Sequence, residues 1–403
     1  MSDTESARTP FEPGAPAAAG AIPLAVPHLV GNEWAYVKEA LDTNWVSSAG
    51  PFVDRFERMV AGVVDTPHAV AVASGTAALH VALLAAGVEP GDEVLVSTLS
   101  FIAPANAIRY AGAHPVFVDA EPEYWQIDAD KVETFLAREC TVEGGRLVNR
   151  STGRRVRALL PVHALGHPAR IEQLAELAER FELALVEDAA ESLGARAGGR
   201  HVGTFGIAGC LSFNGNKLAT SGGGGMVVTA DEAFAGRVRY LTTQAKDDPV
   251  EYVHGEVGFN YRLGNVQAAL GCAQLEQLDA LVAAKRRIAD RYREAFAGLD
   301  GVTTMSEAPG AFAVHWLSTI LLDSAVTGID RRGLHEALAE RRIQTRPLWQ
   351  PLHVSPAHAG AQVCGGEVAE RIAAEALSLP SSTGLAVEEQ ERVIAAVVEA
   401  CRG

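Results

Sequence analysis

The chain has 403 residues, 48% of them hydrophobic and 21% charged, enough for two domains with a substantial core. Its formal net charge of -16 argues against a nucleic-acid surface, which needs clustered Lys and Arg. An anionic small substrate in a local basic pocket stays open. Five scattered cysteines (Cys140, Cys210, Cys272, Cys364 and Cys401) form no CxxC pair and read as reduced thiols of a cytoplasmic protein.

In chain order, residues 1–21 are rich in Ala, Pro and Gly and lack the basic start and apolar block of a signal peptide; they read as a disordered leader. The apolar stretch from Ala69 to Val88 is interrupted by Ser74, Gly75, Thr76 and His80, so it predicts strand, loop and helix and no membrane span. Seven short apolar runs follow one another at helix-length intervals: HAVAVAS, DEVLVST, HPVFVDA, VRALLPVHA, LALVEDA, CLSFN and GGMVVTA. That alternation predicts an α/β fold, a mostly parallel seven-stranded sheet covered on both faces. Val266 to Phe296 reads as one long amphipathic helix, with Lys285-Arg286-Arg287 on its solvated face. Beyond it, WLSTILLD and the region around IQTRPLW give two weaker strand signals, followed by two helices, the last ending at Cys401. The change of texture places a large domain over 22–280 and a small C-terminal α+β domain over 281–403.

The residues that carry chemistry stand where strands end. Ser74-Gly75-Thr76 opens an Ala/Leu helix, where free amides and the helix dipole suit a phosphate or a simple cap. Phe101 follows the next strand, as a core side chain or as a face for a flat ring. Asp188 closes an apolar run and, buried, needs a cation opposite it; Glu191 is either a second ring contact or a cap. Lys217 lies 29 positions after Asp188, in SFNGNKLATSGGGGM, between an apolar strand and the glycines Gly222 to Gly225. An imine-forming lysine, an acid awaiting a cation and glycine-rich backbone together point to pyridoxal phosphate. The loop Asn260-Tyr261-Arg262 marks a domain junction or a further contact, and His163 in PVHALGHP reads as a structural imidazole. No His or Cys pair has metal-ligand spacing, so no metal is expected.

Taken together, SGTAAL, EDAAESLGA, SFNGNK, GGGGM and GFNYRL resemble, in order and spacing, the DegT/StrS family of sugar aminotransferases, from about Ile22 to Ser382. The opening GNEWAYVKEALDTNWVSSAGPFVDRFE is most similar to the LegC branch, associated with legionaminic-acid-type pathways. The resemblance implies the aspartate-aminotransferase (fold type I) architecture and amine transfer to a nucleotide-linked 4-keto-6-deoxy amino sugar, with UDP and GDP carriers both open and L-glutamate as the expected donor. It implies that Lys217 holds the cofactor as a Schiff base, that Asp188 faces the pyridine nitrogen, and that Glu191, where many relatives have Gln, approaches the ring hydroxyl. Gly75 and Thr76 amides and the Ser212 hydroxyl would bind the phosphate, Phe101 would stack on the ring, and Asn260 would reach the partner subunit's cofactor, making a homodimer the minimal active form. Trp45, Ser47, His315, Trp316, Arg346 and Trp349 match segments that line the sugar-nucleotide pocket of relatives. Four glycines replace the family's frequent Gly-Glu-Gly-Gly after the lysine, so substrate contacts of the glutamate-bearing relatives do not transfer.

Two rival functions share this reading. A sugar dehydratase of the same fold is disfavoured by the intact Lys217, which the best-known example replaces by histidine. A non-catalytic sensor is disfavoured by Lys217, Asp188, Ser212 and Asn260 being kept together.

Overall fold

The computed structural model describes residues 20–248 and 250–402; the expected leader lies outside them except for Gly20 and Ala21. All seven expected strands form: β1 (His68–Val72), β2 (Glu93–Ser97), β3 (His114–Val118), β4 (Val156–Leu160), β5 (Ala184–Asp188), β6 (Ala208–Ser212) and β7 (Gly225–Thr229). An eighth, β8 (Gln362–Cys364), joins from far along the chain and pairs parallel with β3. The sheet order is β1-β7-β6-β5-β4-β2-β3-β8, with β7 antiparallel to both neighbours and the rest parallel.

The strands are buried on both sides, so alternate residues feed two cores. Val70, Val72, Val186 and Val227 join one cluster with the helix Gly75–Ala85. Ala69, Ala71, Met226 and Val228 join another with the helices Pro51–Val64 and Asn265–Leu275. Near-continuous apolar runs are the expected signature of such strands. Phe56 is the hinge of the second cluster: fully buried, it meets Phe213 edge-on at 4.7 Å. A Cβ on Gly271 would stand 2.6 Å from its ring, so only glycine lets the two helices close.

The expected single helix over Val266–Phe296 is two, Asn265–Leu275 and Leu278–Phe296. The break falls where polar side chains are already engaged. Glu276 takes Asn32, Tyr36 and Arg55, and Gln274 and Gln277 both donate to Glu33. The expectation of a solvated basic face also fails in part. Arg287 is exposed, but Arg286 pairs with Glu307 and Lys285 is buried.

A four-stranded antiparallel sheet follows, in the order Val302–Thr304, Ser318–Leu322, Ala376–Leu379, Arg346–Pro347. Its core combines Ile320, Leu322, Leu377 and Leu379 with Tyr292, Phe296, Leu334 and Val397, and with Ile22 from the other end of the chain. Three helices of nine or more residues cover it after Phe296 (Arg331–Glu340, Glu367–Glu375, Val387–Arg402), one more than the pattern suggested. Among the described residues no helix is long and apolar enough to cross a membrane.

Phe56→Ala should cost about 3–5 kcal/mol of unfolding free energy, the usual scale for a fully buried ring, and loosen the segment that follows Phe213. Urea unfolding checks this, and a midpoint within error of the parent would refute it.

Candidate active site

β2, β5 and β6 run parallel, and β1, two antiparallel pairings from β6, runs the same way, so their carboxyl ends share one sheet edge, the edge where open α/β sheets bind ligands. β1 leads there into Ser74, which caps the helix Gly75–Ala85 by accepting the Ala77 amide at 3.1 Å. The amides of Gly75 and Thr76 lie in the first turn, where no helical carbonyl can reach them, and the dipole favours an anion. β6 ends at Ser212 beside this turn: a Cβ on Gly75 would sit 2.9 Å from the Ser212 Cβ. One on Gly225, at the start of β7, would lie 2.4 Å from the Ser74 carbonyl. Two missing side chains thus bring helix start and hydroxyl together.

Asp188 is buried at the end of β5, accepting the Ala190 amide at 3.0 Å. Burial pushes its pKa up to about 6; that amide, Lys217 and His163 pull the other way, and Glu191 adds to the rise. Among the described residues no side-chain cation bonds it, so the cation expected opposite Asp188 is not one this chain supplies. Its neighbour Glu187, pointing to the other face of the strand, is fully satisfied. Glu187 accepts the Gly203, Phe205 and Gly206 amides and pairs with His163 at 3.0 Å. The other His163 nitrogen accepts the Ala169 amide, so this histidine is structural, as expected.

Lys217 is held by the loop between β6 and β7. Phe213 donates its amide to the Gly224 carbonyl and accepts that of Ser221, pinching the loop at its base. Gly222 (φ +76°) and Gly224 (φ +143°) occupy backbone regions that favour glycine. The Lys217 Nζ donates to Glu191 Oε1 at 3.1 Å and lies 4.0 Å from the centre of the Trp316 ring. Glu191 Oε2 accepts the Leu165 amide, and the Trp316 indole donates to the Asn216 carbonyl at 2.8 Å. The amine is therefore oriented by a carboxylate and walled by an aromatic face, a pairing worth about 0.5–2 kcal/mol for a cation.

The remaining expected residues sort by exposure. Phe101 projects from the loop after β2 with 57% of its surface exposed, so it is no core side chain. Asn260 is exposed and bridges Thr243. Trp45 and Ser47 are exposed, their carbonyls tied to Asn265 at the start of its helix. Arg346 is exposed, Trp349 half-buried, and His315 buried with its Nε2 unpartnered. Trp316 is buried too, and its contact with Lys217 is one the sequence did not indicate, because 99 residues separate them. The arrangement fits pyridoxal phosphate on three counts: an anion cradle, a buried carboxylate short of a cation, and an oriented amine.

Comparison with known proteins places the chain among aminotransferases. Residues 27–398 match the DegT/DnrJ/EryC1/StrS aminotransferase family. EpsN of Bacillus subtilis (strain 168) is 39% identical over 377 residues, covering 93% of this chain and 94% of that one. GDP-perosamine synthase of Escherichia coli O157:H7 is 38% identical over 368 residues, covering 91% and 95%. Among solved structures, DesV of S. venezuelae superimposes with a TM-score of 0.82 at 35% identity, covering 92% of this chain and 95% of DesV.

The raised pKa of Asp188 has a sign that can be measured. The folded, cofactor-free chain holds this proton more tightly than the unfolded one. The resulting stabilisation is full below the ordinary carboxylate range and is lost as pH rises through about 6. Against Asp188→Asn, the parent should therefore lose relative thermal stability between pH 4 and 6 and no more above it. A difference in melting temperature that stays flat across that range would count against a buried carboxylate with no cation bonded to it.

Proposed function

The chain belongs to the DegT/DnrJ/EryC1/StrS aminotransferase family and is a pyridoxal-phosphate-dependent nucleotide-sugar aminotransferase, and from that premise we propose that it carries nitrogen from L-glutamate to C4 of a nucleotide-linked 4-keto-6-deoxy sugar. The observation that carries the reading is the Lys217 amine, fixed between the Glu191 carboxylate and the Trp316 indole beside a buried, cation-seeking Asp188. The kinship to GDP-perosamine synthase supports the carrier-linked sugar.

When bound, the cofactor supplies an electron sink for the carbanionic charge that builds up as a proton leaves the donor or product carbon. The chain's residues do the rest. Gly75 and Thr76 amides with the Ser212 hydroxyl would hold the phosphate, and the Asp188 carboxylate would keep the ring nitrogen protonated. Phe101 would cover the ring. Lys217 would hold the cofactor and, with its amine free, carry a proton between carbon atoms as general base and acid. Glu191 keeps that amine directed, and the Trp316 wall keeps water from it. Trp45, Ser47, His315, Arg346 and Trp349 form the sugar-nucleotide side.

Asn260 would reach the phosphate of the partner subunit's cofactor, which makes a homodimer the active form in this reading. Its exposure in the single chain supports this, as do the bare hydrophobic side chains Val250, Tyr252, Val253 and Val257 close by in sequence. Five free thiols suit a reducing, cytoplasmic setting. Residues 22–280 are read as the cofactor domain and 281–403 as the small domain carrying His315, Trp316, Arg346 and Trp349, with two exchanges across that boundary: 362–364 lend β8 to the large sheet and Ile22 joins the small domain's core.

Lys217→Ala should stay folded while turnover falls by about a thousandfold, within the range of general acid–base effects, and the absorption of lysine-bound cofactor disappears. Near-normal transamination by that variant would sink the assignment. In a second test, 15N-labelled glutamate is incubated with a panel of UDP-, GDP- and dTDP-linked 4-keto-6-deoxy sugars, with product masses read and the amine placed by NMR. Label in a 4-amino sugar is expected; a deoxygenated product without label would mean dehydration, and label at C3 would overturn the regiochemistry.

A further inference from the structure

Lys285 stands outside every role given above. It lies on the helix Leu278–Phe296 with 3% of its surface exposed, and burial alone lowers its pKa to about 7. Removing an ammonium from water costs several kcal/mol even after relaxation, and no carboxylate is bonded to it among the described residues. Its partners are two carbonyls: Trp316 O at 2.6 Å, and Ser381 O. An apolar side chain of this length would avoid the desolvation cost, so the retained donor has work that packing alone would not require.

The two acceptors lie just beyond the ends of neighbouring strands, Ser318–Leu322 and Ala376–Leu379, whose ladder closes at Ser318 opposite Leu379. The ladder fixes Ser318, while Trp316 lies two residues outside it. On its other side the backbone turns through His315 at φ +48°, a conformation that non-glycine residues seldom occupy. The Trp316 amide is tied to the Leu165 carbonyl, its carbonyl to Lys285 and its indole to Asn216, with the ring against the Lys217 amine.

We propose that Lys285 is a positioning residue for the amine transfer: its ammonium clamps the Trp316 carbonyl to the Ser381 carbonyl and so keeps the indole seated against Lys217. Lys285 touches neither cofactor nor substrate; it acts through Trp316. The inference rests on the assignment of Lys217 as the reactive amine. It goes beyond that assignment by placing a determinant of the amine's surroundings on a helix that carries none of the assigned residues.

The test compares the parent with Lys285→Met, Lys285→Arg and Trp316→Ala. The first readout is the rate at which a small acylating reagent labels Lys217 in cofactor-free protein, measured on the peptide by mass spectrometry. The second is kcat and KM of the loaded enzyme. Lys285→Met should melt cooperatively and label Lys217 about threefold faster as the indole loses its seat. Its kcat should fall about tenfold, as misplacement of a reacting group does, with little change in KM. Lys285→Arg, which keeps donors for both carbonyls, should recover much of both. Trp316→Ala should show the same faster labelling, and adding Lys285→Met to it should change nothing further.

Unchanged labelling in folded Lys285→Met would overturn the proposal, as would a Lys285→Met effect that adds in full to Trp316→Ala. If Lys285→Met does not fold, Lys285→Gln, with a donor for one carbonyl, decides: faster labelling supports the proposal and parental labelling overturns it. Because labelling is read without cofactor, it stands apart from the Lys217→Ala result. Turnover surviving that substitution would remove the role of Lys217, while the labelling would still report whether Lys285 seats the indole.

Discussion

Everything at this site depends on how closely one helix start can approach two strands. Gly75 and Gly225 leave out the two side chains that would hold the turn away from β6 and β7, since Cβ atoms there would lie 2.9 Å from Ser212 and 2.4 Å from Ser74. With the gap closed, two first-turn amides and a hydroxyl converge on one point. The helix dipole reinforces what the amides offer, and the apolar helix Gly75–Ala85 behind them is anchored by seven buried residues. A phosphate bound here is held by backbone that packing has already made rigid, so little ordering entropy is lost on binding.

Buried charge is distributed around that cradle in two ways. Structural charges are satisfied within the chain: Glu187 takes three amides and His163, and Glu57 takes the Ala71 amide with Arg239 and Arg262. Asp188 differs: among the described residues it has one amide and no bonded cation, and burial raises its pKa. An unpaired buried carboxylate is costly, and a cationic ring nitrogen arriving opposite it would relieve that cost. The same contrast separates adjacent residues of one strand: Glu187 is satisfied by three amides and His163, and Asp188 by one amide.

The strands were legible because burial on both faces leaves a nearly unbroken apolar run, which β1 through β7 all display. β8 was not, since Gln362–Cys364 is three residues long and acquires its strand character only by lying beside β3. That Asp188, Ser212 and Gly75 share one end of the sheet was legible too, because strand direction alone carries them there. The helix break at Glu276–Gln277 was not, because the side chains that engage there come from Asn32, Glu33, Tyr36 and Arg55, more than 200 positions away. Lys285 was misread for a related reason. Helical periodicity says which residues share a face, yet Trp316 and Ser381 cover that part of the face, and nothing local announces them.

The two strips that close the structure come from opposite ends of the chain. β8 caps the open edge of β3 from residues 362–364, and Ile22 is sealed beside Ile343 within the C-terminal core. During synthesis, therefore, β3 waits for some 240 further residues before its edge is covered, at about 5–20 residues per second. A bare parallel edge is a template for mispairing, and its partner here is non-local and slow to arrive. The nascent chain consequently spends many seconds with one edge of β3 uncovered, a liability set by topology and independent of how stable the finished fold is.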